Sequence, residues 1–230
     1  MGRVSAQFEH FPEETRQFLV GIADHNEKAW FEENRALYDT SYVEAGKAFV
    51  QAMAPRLKAI SPEVHAEPRI NGSIMRVNRD VRFSKDKRAY KTHLDFWFWH
   101  GEKKGWANPG FYLRITPDQV LLGTGMHHFD KDTLDSFRHA VVLPRSGKAL
   151  QAAITAVRAA GAYEIGEKTR KRPPRGFEAD PDRAEYLLFE GLTATITLPG
   201  AVAFAPGFAD LCAQHFAATW PIGQWLKTEL

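Results

Sequence analysis

Apolar residues recur at spacings of three and four through the first sixty positions. Through much of the remainder they fall in short runs or alternate. Phe18, Leu19 and Ile22 form an apolar face behind Pro12, Glu13 and Glu14. This reads as a helix start, because proline suits a first turn and acids suit the positive end of the helix dipole. His25-Asn26 reads as its stop. A second stripe of Trp30, Phe31, Leu37, Tyr38, Tyr42, Ala45, Phe49, Met53, Leu57 and Ile60 predicts further helix. Pro55 should break or kink it, and Ser61-Pro62 should end it.

The texture then changes. Ile70, Ile74 and Val77 predict strand, and 79–92, dense in charge and without a period, predicts an ordered loop. Residues 93–100 (HLDFWFWH) predict a central strand covered on both faces, since Phe96 and Phe98 alternate with Trp97 and Trp99. Runs at 111–115 and 119–122 flank Thr116-Pro117-Asp118, a hairpin signal. Asp132 is a candidate cap for a helix bearing Leu134, Phe137 and Val141. Ser146 is a candidate cap for one bearing Leu150, Ile154 and Val157 and ending at Gly161. The stretch 166–185 reads as irregular, 186–189 and 193–198 as strands, and 208–219 as helix, with Trp220-Pro221 opening a last short one. Strands grouped in hairpins predict an α+β fold. Its expected parts are N-terminal helices, a central, largely antiparallel or mixed sheet with a hairpin, and further helices packed on it. No linker is visible, so a single domain over 1–230 is expected.

Composition adds limits. The chain has 230 residues, 44% hydrophobic and 25% charged, which excludes wholesale disorder, collagen and coiled coil. Cys212 is the one cysteine, so no disulfide can form within the chain, and a reducing cytoplasm fits best. Its Ala-rich surroundings predict a small buried residue rather than a nucleophile. No run approaches the roughly 20 apolar residues of a membrane helix. The start, MGRVSAQFEHFPEETRQ, has no apolar stretch of signal-peptide type. A cytoplasmic protein with no membrane association is therefore expected.

The formal charge of +2 hides a division. Residues 69–91 carry a local +6 and residues 168–175 a local +5, leaving −9 for the rest. Residues 1–40 hold four basic and eight acidic side chains. Arginine forks match carboxylate or phosphate, and lysines supply mobile point charges. Packing Arg76, Arg79, Arg82, Lys85, Lys87 and Lys91 into one segment costs repulsion, which something must offset. Three readings do so: ion pairs to Asp80, Asp86 and the acidic N-terminal helices, a small anionic ligand bearing phosphate or carboxylate, or nucleic acid. A ligand site would be built around residues 76–92 and include Asp80. Should the second basic segment face it across a cleft, Arg172 and Arg175 would join the lining.

Tyr90, Lys91, His93 and Asp95 are the nearby candidates for proton transfer. No Ser-His-Asp spacing or nucleophile elbow is present, and no reaction follows from these residues. Gly123 to His127 (GTGMH) lacks the third glycine of a dinucleotide fingerprint. His127-His128 would point to opposite faces of a strand, so neither metal nor cofactor is expected. Nothing in the sequence addresses oligomeric state.

The segment Arg79-Asp80-Val81-Arg82-Phe83-Ser84-Lys85-Asp86-Lys87, closing on Tyr90-Lys91-Thr92, resembles the signature of the domain-of-unknown-function 2461 family, conserved hypothetical proteins of bacteria and fungi. Asn26 with Trp30-Phe31 and Tyr38 resembles the family's N-terminal pattern. Pro109-Gly110-Phe111-Tyr112-Leu113 resembles its hairpin, Gly123 with Gly125 its glycine stretch, and 172–177 (RPPRGF) its proline-arginine-glycine element. The chain departs from the pattern at Ala89, where proline is common, and at Thr92-His93, where asparagine is common. The resemblance implies a single α+β domain and no known reaction.

Overall fold

Pro12 stands just ahead of α1 (Glu13–Asp24), and Glu13 and Glu14 occupy its first turn. His25 ends it. The second stripe folds as α2 (Lys28–Glu33), α3 (Arg35–Tyr38), a wide π-type turn over Asp39–Glu44, and α4 (Ala45–Ile60). Pro55 does not interrupt α4. The computed structural model describes residues 8–102, 105, 107–166 and 168–230. The first seven residues, and residue 167 within the stretch 166–185, lie outside the described residues.

The strands are β1 (Leu94–Trp99), β2 (Gly110–Ile115), β3 (Gln119–Met126), β4 (Glu164–Ile165) and β5 (Leu192–Pro199). They form a five-stranded antiparallel sheet in the order β1-β2-β3-β5-β4. All six residues of β1 are buried, as expected for a covered strand, but β1 lies at the edge of the sheet rather than at its centre, its outer side met by the isolated bridge Ile74↔Phe96. The turn joining β2 to β3 closes with Thr116 N–H donating to the Gln119 carbonyl at 2.9 Å. With helices segregated from hairpin-linked strands, the class is α+β, as the pattern predicts.

Several local expectations are corrected. Ile70 and Ile74 make only isolated bridges and belong to no strand. Asp130, not Asp132, caps α5 (Lys131–Val142), its carboxylate accepting from Thr133 N–H at 2.8 Å. Helix α6 (Pro144–Ala160) begins on Pro144, two residues before the expected cap Ser146. The segment 186–189 is not strand: a 3₁₀ turn spans Ala184–Leu188. The last two helices are one, α7 (Phe208–Glu229), which runs through Pro221. No described helix is long and apolar enough to cross a membrane.

The chain divides into two compact units. One comprises Met1–Phe98, Tyr112–Leu121 and Thr197–Ala213, the other Trp99–Phe111, Leu122–Ile196 and Gln214–Leu230. The first is built around aromatic rings. Phe49 lies 5.3 Å from Phe11, 4.9 Å from Phe96 and 5.6 Å from Phe208, centroid to centroid. The core of the second gathers Phe129, Phe137, Leu150, Ile154, Leu187, Ile222 and Trp225. Gly125 of β3 has φ +135°, and a Cβ there would meet the Leu192 carbonyl. Only glycine lets the two backbones come that close.

Candidate functional site

The basic segment is the far end of an irregular two-armed ribbon in the first unit. Backbone bonds join Trp97 to Ser73, Met75 to Asp95, Lys91 to Val77 and Arg79 to Ala89, all at 2.8–2.9 Å. The register is uneven. The bridges Ile74↔Phe96 and Asn78↔Tyr90 stand four residues apart on one arm and six on the other, so two extra residues bulge out between Tyr90 and Phe96. Bulges re-aim side chains, and this one gathers Lys91, His93 and Asp95.

Asp95 is the centre of a polar cluster. Its side chain is 4% exposed. Arg114 on β2 donates Nε to Oδ1 at 2.8 Å and Nη2 to Oδ2 at 3.3 Å. The Tyr112 hydroxyl donates to Oδ1 at 3.0 Å. His93 Nε2 lies 3.1 Å from Oδ2, and Lys91 Nζ donates to it at 3.4 Å. Burial pushes the Asp95 pKa up, but the hydrogen bonds and charges of His93 and Arg114 outweigh it and hold the carboxyl well below the usual range. Burial, reinforced by the Asp95 charge, raises the Tyr112 phenol far above its ordinary value. Asp95 is thus a fixed anion and Tyr112 a fixed donor. Lys91, His93 and Arg114 keep 20%, 21% and 38% of their side-chain surface exposed. Two cations and an imidazole share one carboxylate, and the ammonium and guanidinium carry more N–H donors than it can accept.

The N-terminal helices support this ribbon from below. Asn26 accepts from Tyr90 N–H at 2.9 Å and donates to the Tyr90 carbonyl at 3.0 Å, clamping that residue's backbone. The Tyr90 ring stacks on Phe31 at 4.6 Å and takes no part in the Asp95 cluster. The Tyr42 hydroxyl, carried by the π-type turn, donates to the Met75 carbonyl at 3.0 Å.

At the tip, one device occurs twice. In Asp80-Val81-Arg82, the aspartate accepts the backbone N–H of the arginine at 3.2 Å and its guanidinium at 2.9 and 2.6 Å. Asp86-Lys87-Arg88 repeats the pattern at 3.0, 3.0 and 2.7 Å. Arg79 also reaches Asp86, at 2.7 Å. The Arg82 partner draws the Asp80 pKa below its ordinary value, and Arg88 does the same for Asp86. The ion pairs of the tip are therefore internal to it, and among the described residues none runs to the acidic N-terminal helices. Lys87 Nζ donates to the Val81 carbonyl at 3.0 Å, and Arg76 and Lys85 form no ion pair with a described residue.

Among the sequence candidates, the structure brings together Lys91, His93 and Asp95, and groups Arg79, Asp80, Arg82, Lys85 and Lys87 at the tip. Arg172 and Arg175 belong to the second unit, on the segment that seats Phe177 against His139 at 4.9 Å. Arg114 and Tyr112 were not among the candidates. Their signal is alternation: they lie two apart on β2, as His93 and Asp95 do on the segment entering β1, but only strand pairing unites the two sets. Among the described residues, no group of three or more His, Cys, Asp and Glu could hold a metal ion.

The model of the conserved hypothetical proteins DUF2461 matches residues 14–225. The chain belongs to the DUF2461 family. No curated protein matches it. The DUF2461 signature thereby acquires physical tasks in this chain. Asn26 fixes Tyr90, the Asp-x-Arg pairs stiffen the tip, and Lys91 turns inward to Asp95. Pro109, ahead of β2, offers its carbonyl to both the backbone and the ring of His100.

Proposed function

We propose that this protein binds a small anion bearing phosphate or carboxylate, over Lys91, His93 and Arg114 at the base of the 76–92 ribbon. The single observation that carries the reading is the imbalance around Asp95. One buried carboxylate holds Lys91, Arg114 and the His93 ring in place yet neutralises only one of their charges. An incoming anion supplies the missing negative charge, and a two-oxygen group can accept guanidinium N–H donors of Arg114 that Asp95 does not take. Arg76, Lys85 and Lys87 add positive potential that steers it inward. Arg79, Arg82 and Arg88 are already engaged by Asp80 and Asp86, and in this reading they shape the loop rather than hold the ligand. Asp95 acts as a positioning residue.

A thermal-shift panel of inorganic phosphate, nucleotides, sugar phosphates and dicarboxylates tests the proposal. A ligand at one hundred times its dissociation constant stabilises by about 2.7 kcal/mol. For a chain of this size that raises the midpoint by roughly 5–10 °C. Arg114→Lys keeps the charge but loses the fork, and should lower the shift, as should Lys91→Ala. No shift with any anion, or equal shifts in both variants, would count against it.

A further inference from the structure

The tip of the ribbon carries an apolar side chain where none is expected. Phe83 is 95% exposed, by far the most exposed large hydrophobic residue among those described. The others are Val20, Leu143 and Leu230, and none lies in this loop. Phe83 is therefore a lone ring and not part of a hydrophobic patch of the kind that docks another protein. Its surroundings are cationic: Arg82, Lys85, Lys87 and Arg88 lie within five positions. The Arg82 guanidinium sits 5.8 Å from the ring centroid, over one face.

The loop that presents this ring is held in shape without a core beneath it. The two Asp-x-Arg devices flank 83–85, Lys87 ties back to Val81, and Ser84 N–H reaches the Val81 carbonyl at 3.3 Å. Such order lowers the entropy lost on binding. A ring with a guanidinium over one face and the other open, set among cations, matches a flat aromatic group attached to an anion. A lone ring gives a lipid surface little apolar area to hold, whereas a base needs only one face.

We infer that Phe83 is a stacking platform for the unpaired base of a phosphate-bearing ligand, either a free nucleotide or a single strand, with Lys85 and Lys87 beside it to take phosphate. This rests on the reading that the ribbon accepts anions. It adds that residues of the tip, other than the Lys91, His93 and Arg114 that hold the small anion, engage a phosphate-bearing ligand through its nucleobase.

The test compares AMP with ribose 5-phosphate, which has the phosphate and sugar without the base, by titration calorimetry at low salt. Wild-type protein should bind AMP about ten-fold more tightly, within the range set by one stacked base. Phe83→Ala should abolish that preference and leave ribose 5-phosphate binding unchanged, while Phe83→Trp should retain it. Because the ring is in solvent, neither variant should alter the far-UV circular dichroism. Oligothymidylate assigns the source: tighter binding than AMP with a steep fall in salt means a strand, and equal binding means a nucleotide. If AMP and ribose 5-phosphate bind equally, stacking is refuted while anion binding stands. If neither they nor any other anion binds, both readings fall. A base preference that survives Phe83→Ala overturns the assignment, as does Phe83-dependent binding to phosphatidylserine vesicles without any preference for AMP.

Discussion

Replacing Asp95 by asparagine removes one charge and turns one acceptor into a donor, with almost no change in volume. The asparagine carbonyl can still accept from Tyr112 and from Arg114 Nε. Its amide would then face Arg114 Nη2, His93 Nε2 and Lys91 Nζ, which stand 3.3, 3.1 and 3.4 Å from Oδ2. Donors would oppose donors around a site that is 4% exposed. Removing one partner of a buried pair costs about 3–5 kcal/mol, and the partial exposure of Lys91 and Arg114 sets the expectation at about 3. For a chain of this length that is a fall in thermal midpoint on the order of 10 °C. Urea denaturation followed by circular dichroism, with an unchanged m-value, would measure it. The pH dependence gives a second reading. The Asp95 pKa is depressed in the folded state, so its contribution is present above the unfolded carboxylate pKa of about 3.9. It is lost as pH falls from there toward the lower folded value. The gap between wild type and Asp95→Asn should be full at neutral pH and shrink below about pH 4. A gap under about 1 kcal/mol at pH 7 would refute the view that Asp95 organises the cluster, since that is the scale of an exposed pair.

Further outcomes follow from other parts of the chain. Asp86→Ala strips the carboxylate from both Arg79 and Arg88; it should speed amide hydrogen exchange over 79–90 while leaving the thermal midpoint nearly unchanged, because the pairs are exposed. Phe49→Ala removes a ring that touches Phe11, Phe96 and Phe208 and should cost about 3–5 kcal/mol in denaturant melts. Gly125→Ala should destabilise strongly, since both its φ of +135° and the neighbouring Leu192 carbonyl oppose a Cβ; lower soluble yield and midpoint would register it. Burial raises the Cys212 thiol pKa, so a thiol reagent should leave the native protein unmodified and react on unfolding.

What the sequence made legible was local. The turn Thr116-Pro117-Asp118 was readable because its chemistry resides in adjacent residues, and the His25-Asn26 stop, the buried β1 and the Gly161 helix end were readable for the same reason. The misreadings arose where a distant contact outweighed a local cue. Ser146 looks like a cap, yet it is buried inside α6 and its carbonyl accepts the Trp225 indole N–H at 3.0 Å. Pro221 looks like a helix start, yet Ile222, Trp225 and Leu226 have their place in the core and carry α7 through it. The apolar run 186–189 suits a strand, but the preceding Arg183 is buried with its guanidinium on the carbonyls of Val141 and Leu143, and a 3₁₀ turn follows. The site divides in the same way. Lys91, His93 and Asp95 were within reach because they alternate along one segment. Arg114 and Tyr112 sit nineteen and seventeen positions from Asp95 and meet it only through strand pairing. The paired Asp-x-Arg units were in plain view as a repeat, but their rigidity shows only in the geometry of their bonds.

The central claim is that the donors gathered by Asp95 hold a small anion. Titrating inorganic phosphate into ¹⁵N-labelled protein, and following the Arg114 Nε–H and His93 ring resonances, tests it most directly. The account predicts saturable shifts at these groups that weaken when Lys91 is replaced by alanine. Resonances that stay fixed through the titration, or that move identically in the variant, would contradict it.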